Sequence, residues 1–152
     1  MSSTNLLTNF TITPLWAQKN DSDLVVANVE NEGLVLQENK KASNQLWNLN
    51  LVETENGLAF NIYCAKYGRE YAVYDKGNGN QITMVNPANT SSDNSRFDWI
   101  YGGRAETGTN AYYIDNLKGA GWIISSTAPK AGDTITMEPG TADRNLFVFT
   151  AV

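Results

Sequence analysis

The sequence SNQLWNL at residues 43–49 has two counterparts further along the chain, DNSRFDWI at 93–100 and ADRNLFVF at 142–149. Aligned with one another, they place the aromatic residues Trp47, Phe97 and Phe147 at a constant interval of 50 residues. A fixed interval of this length indicates an internal structural repeat. An aromatic side chain that recurs in each repeat can supply a core shared by units that cannot bury their apolar faces alone. We therefore predict that these three residues occupy equivalent places in the core.

Each motif also carries a polar residue two positions before its aromatic residue, and these are Gln45, Ser95 and Asn145. Because side chains of a strand alternate between its two faces, the polar residue shares the face of the aromatic one. We therefore predict that the amides of Gln45 and Asn145 hydrogen-bond backbone groups where strands depart from regular pairing.

Outward from these motifs, short strand-like runs alternate with clusters of Gly, Asn, Ser and Thr, and helical spacing of apolar residues is rare. The runs, about twelve by this pattern, are FTITPL, LVVAN, GLVLQ, LWNLNLV, LAFNIY, YAVYD, QITMV, FDWIY, AYYID, GWIIS, TITME and LFVFTAV. Four kinds of run recur three times in the same order. The sequence predicts one all-β domain over residues 1–152, with three four-stranded repeats at about 8–54, 57–103 and 109–152.

The first motif, Gln45-Leu46-Trp47 preceded by Asn44, resembles the N-Q-x-W box of the ricin B-type β-trefoil, the R-type lectin family. The second and third motifs are degenerate versions of this box. The resemblance covers essentially the whole chain, and it implies a β-trefoil fold and carbohydrate binding, as in small fungal or bacterial lectins and haemagglutinins.

In that family, the sugar site of each unit combines three groups. An Asp at the end of the second strand accepts hydrogen bonds from sugar hydroxyls, an aromatic ring near the end of the third strand stacks on the sugar, and an amide before the box completes the contact. The corresponding residues are Asn28, Asp75 and Ser126 for the acid, Leu36, Met84 and Met137 for the ring, and Asn44, Asn94 and Arg144 for the amide. No unit holds the complete set, and the second unit retains the most of it.

The resemblance therefore points to Asp75 as the main carbohydrate-binding residue, with Asn94 beside it and Asn28 and Asn44 as a neutral version in the first unit. Asp75 is followed by KGNGNQ, a Gly-Asn turn in which Asn78 and Asn80 could reach the same ligand. The alternative is that the Asp75 carboxylate accepts a hydrogen bond from the backbone two residues later and that the asparagines only form a hairpin turn.

Loop aromatic residues could supply the missing ring. Trp16 lies in the polar stretch PLWAQKNDSD, Tyr67 lies in a Lys-Tyr-Gly-Arg turn, and Trp122 opens a strand after Gly-Ala-Gly. A trefoil also needs large side chains for its core. We predict that Trp122 is a core residue, and we keep Trp16 as a candidate binding residue with core packing as the alternative.

Composition excludes several classes of function. A net charge of −5 and a pI near 4.6 argue against nucleic-acid binding and against docking on an anionic membrane. The absence of histidine excludes a Ser-His-Asp triad and a His-containing zinc site, and the single cysteine, Cys64, excludes an internal disulfide and a multi-thiolate metal site. No clear carboxylate pair indicates a glycosidase. We expect a non-enzyme without metal or cofactor.

The leading hypothesis is a non-catalytic lectin that binds glycans or glycoproteins as a monomer or homodimer. The alternative is a β-trefoil protease inhibitor, with TPLWAQKNDSD (residues 13–23) or VNPANTSSDNS (residues 85–95) as the loop that enters the protease, because one fold can host both functions. The beginning of the sequence lacks the features of a signal peptide, and no stretch is apolar enough to insert into a membrane. We therefore expect a cytoplasmic location, or release without a classical signal peptide.

Overall fold

The computed structural model describes residues 6–55, 57–90, 94–102, 110–140 and 144–152, and for Leu6 and Asn94 it describes the backbone alone. Within these ranges the chain forms thirteen strands and one short α-helix, α1 (Leu15–Lys19). The strands are β1 (Leu6–Pro14), β2 (Leu24–Val29), β3 (Gly33–Glu38), β4 (Trp47–Thr54), β5 (Gly57–Cys64), β6 (Ala72–Tyr74), β7 (Thr83–Val85), β8 (Ile100–Tyr101), β9 (Ala111–Tyr112), β10 (Ile114–Asp115), β11 (Gly121–Ile124), β12 (Ile135–Glu138) and β13 (Phe147–Ala151). Short 3₁₀ helices occupy Ser43–Gln45, Ala65–Tyr67, Pro87–Asn89 and Asn94–Phe97.

The all-β class predicted from the sequence is confirmed. Every predicted strand-like run contains at least part of an observed strand, and one run, AYYID, is divided into β9 and β10 at Tyr113. Alternation of apolar and polar residues between turn clusters therefore located the strands correctly.

Strand pairing runs around a closed ring. Strand β1 pairs with β4 and β13, β4 pairs with β5, β8 pairs with β10, and β9 pairs with β13. Strands β9 and β10 follow one another along the chain with only Tyr113 between them, so they link the pairing of β13 to that of β8. Between β5 and β8 the ring closes at Phe60 and Trp99, where the backbone N–H of each residue donates to the carbonyl of the other at 2.8 and 2.9 Å. Closure of a sheet in this way pairs strands on both of their edges.

Three hairpins, β2–β3, β6–β7 and β11–β12, lie beside this ring and meet one another. The backbone N–H of Leu34 donates to the carbonyl of Ile82 at 2.8 Å, and the N–H of Ile82 donates to the carbonyl of Ile135 at 2.9 Å. Gly33 sits at this junction with a φ of +125°, and a Cβ there would lie 2.6 Å from the Ile82 carbonyl oxygen. The junction therefore requires glycine at this position.

The core is centred on large side chains without solvent exposure, and the largest are Trp47, Trp99, Trp122 and Phe147. The ring centroid of Trp122 lies 5.6 Å from those of Trp99 and Phe147, and both pairs are edge to face. This is the favoured geometry for aromatic pairs. The prediction that Trp122 is a core residue is confirmed.

The prediction of equivalent core positions is wrong for one of the three residues, Phe97. Trp47 donates its indole N–H to the carbonyl of Val26 at 3.0 Å, and it is Trp99, not Phe97, that makes the corresponding bond, to the carbonyl of Val73 at 3.2 Å. Phe97 ends a 3₁₀ helix and packs instead in a separate small cluster. Position 99 offers an indole both apolar surroundings and an acceptor for its N–H, and Trp99 therefore takes the place that the interval assigned to Phe97. The constant interval of 50 residues therefore does not describe the second motif.

The predicted role of the motif amides is confirmed. The Gln45 side chain accepts a hydrogen bond from the backbone N–H of Lys40 at 2.8 Å and donates to the carbonyl of Glu38 at 2.9 Å. The side-chain oxygen of Asn145 accepts from the backbone N–H of Ile124 at 2.7 Å. Both amides thus satisfy backbone groups outside regular strand pairing.

The stretch predicted as a long polar loop between β1 and β2 contains helix α1. Pro14 precedes the helix in an extended conformation, and at its other end the side chain and backbone N–H of Asn20 both donate to the carbonyl of Trp16, at 2.8 and 3.0 Å. Leu15 and Ala17 are buried, and half-buried Trp16 packs against the main core. The contact of its own side chain with the core gives Trp16 a packing role, which was kept as the alternative to binding.

Candidate functional site

Two clefts flank the turn that follows β6. The first, here called the Asp75 cleft, has a volume of about 290 Å³ and is lined by Asp75, Gly77, Asn78, Arg96, Asn116 and Lys118, among others. The second, here called the tyrosine cleft, has a volume of about 380 Å³, and its lining includes Asn28, Glu30, Glu32, Tyr67, Tyr71 and Lys76. Both have the size of small-molecule sites.

Asp75 follows the last residue of β6, and only 8% of its surface is exposed. One carboxylate oxygen accepts the backbone N–H of Gly77 at 2.8 Å, which is the turn role expected as the alternative to sugar binding. The other oxygen accepts the side-chain amide of Asn116 at 2.8 Å. Because a carboxylate oxygen can accept two hydrogen bonds, each retains capacity for a ligand. The carboxylate is therefore held in a fixed orientation at the edge of the cleft.

Asn116 fixes that orientation from a distant part of the sequence. Its side-chain oxygen accepts the backbone N–H groups of Lys118 and Ala120, both at 2.9 Å. With its oxygen occupied in this way, the amide can present only its NH₂ group to Asp75. Asn116 was not among the site residues predicted from the sequence, although an asparagine between a strand and Leu-Lys-Gly is a recognisable turn signal.

Arg96 is the second residue of the site that the sequence analysis missed. Its guanidinium donates from Nη1 to the backbone carbonyl of Asp75 at 3.1 Å. The backbone N–H of Asp75 in turn donates to the carbonyl of Arg96 at 3.0 Å. These two bonds join the end of β6 to the 3₁₀ helix Asn94–Phe97 and hold the half-buried Arg96 side chain at the cleft.

The Gly-Asn turn after Asp75 separates its two asparagines. Asn78 is exposed and lines the Asp75 cleft. Asn80 instead donates its side-chain amide to the carbonyl of Lys76 at 3.1 Å, as in a plain hairpin turn. The backbone N–H of Gly79 donates to the carbonyl of Met137 at 2.7 Å, which holds the turn against β12. Asn78 is therefore the turn side chain available to a ligand.

The remaining predicted binding residues are elsewhere. Asn28 is buried and lines the tyrosine cleft, while Asn44 donates its amide to the Asn28 carbonyl at 3.1 Å and to the side-chain oxygen of Gln37 at 3.4 Å. The backbone of Asn94 begins a 3₁₀ helix, and its side chain lies outside the described residues. Of the predicted set, the structure brings together Asp75 and Asn78.

The tyrosine cleft supplies aromatic surface that the Asp75 cleft lacks among its described lining residues. The rings of Tyr67 and Tyr71 pack edge to face with centroids 5.5 Å apart, and the Lys66 ammonium lies 5.6 Å from the Tyr67 ring. The turn carrying Glu30 and Glu32 also lines this cleft. Tyr67 was singled out from the sequence as a turn aromatic, and its neighbour Tyr71 was not.

In the third unit, Ser126 has a structural role, because its hydroxyl is hydrogen-bonded within the protein. Its hydroxyl donates to the Asp133 carboxylate, which also accepts the backbone N–H of Lys130 at 3.0 Å and the Lys130 ammonium at 2.9 Å. Burial alone would raise the pKa of Asp133, but the hydrogen bonds from Ser126 and Lys130 outweigh it, so the pKa lies below its usual value.

We expect the Asp133→Asn variant to be less stable than the wild type by about 1–2 kcal/mol at neutral pH, since charge-assisted hydrogen bonds are lost. A lowered carboxyl pKa contributes stability above the ordinary Asp value, about 3.9, and that contribution is lost as the pH falls through the lower folded value. Urea unfolding of both proteins from pH 7 downwards measures the difference. A stability gap that stays constant below pH 4 would contradict this account.

Among the described residues, no group of three or more His, Cys, Asp or Glu side chains is arranged to hold a metal ion. The same part of the chain contains no helix with the length and apolar character needed to cross a membrane.

Comparison with known proteins identifies the fold. No protein-family model matches the chain, and no curated protein matches its sequence. Among solved structures, a mosquitocidal holotoxin matches 96% of this chain with a TM-score of 0.69 and 17% identity, and the chain covers 17% of that protein. A proteinase inhibitor from Coprinopsis cinerea matches 95% of this chain with a TM-score of 0.59 and 16% identity, over 97% of the inhibitor.

The lysenin pore is also similar, with a TM-score of 0.59 and 12% identity over 96% of this chain and 46% of that chain. The chain thus spans less than half of the holotoxin and lysenin chains that it matches. At these low identities the likeness shows the fold alone. The neighbours are β-trefoil proteins, so the predicted fold is supported.

Proposed function

We propose that this protein is a non-catalytic lectin whose primary glycan site is the Asp75 cleft. The observation that carries the proposal is the fixed carboxylate at the edge of that cleft, held by Gly77 on one oxygen and Asn116 on the other, each at 2.8 Å. Sugars present adjacent hydroxyl groups that need acceptors and donors in fixed positions. A carboxylate oriented before binding meets that need without loss of side-chain freedom.

Other residues of the cleft complement this acceptor. Asn78 is exposed on the adjoining turn and offers both an amide donor and a carbonyl acceptor. Asp75 is the sole carboxylate among the described residues that line the cleft. Since glycoside hydrolysis ordinarily uses a pair of carboxyl groups, this composition favours binding of glycans or glycoproteins over their cleavage.

The proposal includes the three four-stranded repeats inferred from the sequence. In this interpretation, each repeat contributes one hairpin and two strands of the ring, and Asn28, Asp75 and Ser126 take corresponding positions at or just beyond the ends of the second strands. Asp75 provides a carboxylate at this position, whereas Ser126 is bonded to Asp133. The second unit is thus the best equipped for a sugar.

A second candidate function, protease inhibition, has one observation in its favour. The exposed segment after β7 is partly rigid. The side-chain oxygen of Asn86 accepts the backbone N–H of Ala88 at 2.9 Å, and the backbone carbonyl of Asn86 accepts the N–H of Asn89 at 2.9 Å. Such support is what an inhibitory loop requires. The other candidate loop, residues 13–23, contains helix α1 and is anchored on buried Leu15 and Ala17.

Asn78→Ala offers a clean test, because the side chain is exposed. We expect the wild type to bind members of a glycan array, and we expect the variant to bind about three- to tenfold more weakly through loss of a ligand hydrogen bond. Asn80→Ala, on the same turn but outside the cleft, is the matched control and retains binding. A blank array together with tight inhibition of a protease would replace the lectin proposal with the inhibitor one.

Asp75→Ala is a less suitable test than Asn78→Ala, because Asp75 is buried. Its removal leaves the Gly77 N–H and the Asn116 amide without their acceptor, which costs stability as well as affinity.

A further inference from the structure

The Asp75 cleft concentrates positive charge on an acidic protein. The chain has a net charge of −5, yet Arg96 and Lys118 both line this cleft, and Asp75 is the one carboxylate among its described lining residues. The Asp75 oxygens accept two hydrogen bonds from neutral groups, and among the described residues no salt bridge joins this carboxylate to either cation.

The Arg96 side chain is held in position by a hydrogen bond, but its charge is not paired with a carboxylate of the described residues. Its Nη1 atom bonds the neutral carbonyl of Asp75 at 3.1 Å, which orients the guanidinium, and within the described residues no carboxylate forms a salt bridge with it. A guanidinium has five N–H donors in a fixed fork, so this bond leaves donors for a planar anionic group.

Lys118 is placed by its backbone. Its N–H donates to the side-chain oxygen of Asn116 at 2.9 Å, the same amide that holds Asp75. The exposed side chain extends from this fixed point at the cleft, and its ammonium forms no salt bridge with any carboxylate of the described residues.

Two other cations in the described part of the chain are paired with carboxylates. Lys130 lies 2.9 Å from the Asp133 carboxylate, and Arg144 lies 3.3 Å from the Asp115 carboxylate. The lysine of the tyrosine cleft, Lys76, shares that cleft with two glutamates. The Asp75 cleft thus combines two cations that form no salt bridge among the described residues with one carboxylate that is already hydrogen-bonded to neutral groups.

We propose that the ligand of the Asp75 cleft is an acidic saccharide, bearing a carboxylate or a sulfate group. This inference rests on the proposed lectin function. The anionic group contacts the Arg96 guanidinium and the Lys118 ammonium, while sugar hydroxyls contact Asp75 and Asn78. Charge-assisted hydrogen bonds of this kind are about twice as strong as neutral ones, and the arginine fork matches the geometry of a carboxylate or sulfate.

The test compares three sets of glycans that share one core: a set ending in sialic or uronic acid, a sulfated set, and a neutral set. We expect the wild type to prefer one or both acidic sets and to lose affinity as salt is added. Lys118→Gln should weaken acidic-glycan binding about tenfold or more, since a bond to a charged group is lost. Lys76→Gln removes the same charge from the neighbouring cleft and is the matched control, with unchanged binding.

Each result has one meaning. Preference for carboxylated or for sulfated glycans, lost in Lys118→Gln, supports the inference and identifies the anionic group. Equal affinity for neutral and acidic glycans that is unaffected by Lys118→Gln but reduced by Asn78→Ala overturns the inference and leaves the lectin proposal intact. Absence of binding to every set overturns both. Thermal unfolding of the variants verifies that each is folded.

Discussion

We expect Trp99→Ala to lower the free energy of unfolding by about 3–5 kcal/mol, the usual loss for a large buried aromatic residue. Trp99 has no solvent exposure, packs edge to face on Trp122 at 5.6 Å, and donates its indole N–H to the Val73 carbonyl at 3.2 Å. Truncation leaves a cavity in the centre of the core and an unpaired buried carbonyl, and both effects destabilise the fold.

Phe97→Ala is the informative comparison. Phe97 packs in the small cluster with Tyr63 and Ala72, outside the main core, so its truncation should cost less than that of Trp99. Trp47→Ala should match Trp99→Ala, because Trp47 makes the corresponding bond to the Val26 carbonyl at 3.0 Å. Urea unfolding measures all three variants. A larger loss for Phe97→Ala than for Trp99→Ala would restore the 50-residue alignment and contradict the assignment of Trp99.

Strand positions could be predicted from the sequence because they depend on local alternation and turn chemistry, which the sequence displays directly. The choice between Phe97 and Trp99 depended on something else. Both are aromatic residues of the same FDW segment, and the 3₁₀ helix Asn94–Phe97 decides which of them reaches the core. Counting residues along the chain does not reveal such a turn, so the constant interval selected Phe97.

The candidate site also contains some residues that could be predicted from the sequence and others that could not. Asp75 and Asn78 are neighbours in one turn; the resemblance of the motifs pointed to Asp75, and the Gly-Asn turn that follows it pointed to Asn78. Asn116 is 41 positions from Asp75, and its contribution depends on the approach of two turns that only the folded chain brings together. The role of Trp16 was undecided because PLWAQKNDSD is polar overall, and the packing of Trp16 against the core depends on how the short helix α1 docks, which the local sequence does not display.

The buried ion pair between Asp115 and Arg144 is the other place where a single substitution should greatly lower the stability of the fold. Asp115 and Arg144 are both largely buried, and the Arg144 Nε atom lies 3.3 Å from one Asp115 oxygen without forming a hydrogen bond to it. The guanidinium also stacks 4.7 Å from the Tyr113 ring and donates to the Gly119 carbonyl at 3.1 Å. Burial raises the pKa of Asp115, and the charge of Arg144 opposes that rise.

Arg144→Met should therefore cost about 3–5 kcal/mol at neutral pH, because it leaves a buried carboxylate without its compensating charge while the methionine stem keeps much of the packing on Tyr113. Loss of the cation raises the pKa of Asp115 further. For a carboxyl group with a raised folded-state pKa, stability is full at low pH and declines as the pH rises through that pKa, so acidification should reduce the deficit of the variant.

The double variant Asp115→Asn/Arg144→Met separates charge from packing. If the unpaired carboxylate causes the loss, adding Asp115→Asn recovers part of the stability at neutral pH, and the double variant no longer gains on the wild type as the pH falls. Urea unfolding of wild type, single and double variants across the acidic range measures this. An Arg144→Met deficit that is the same at pH 4 and pH 7, and that Asp115→Asn does not relieve, would instead assign the effect to the lost contacts of the guanidinium with Tyr113 and Gly119.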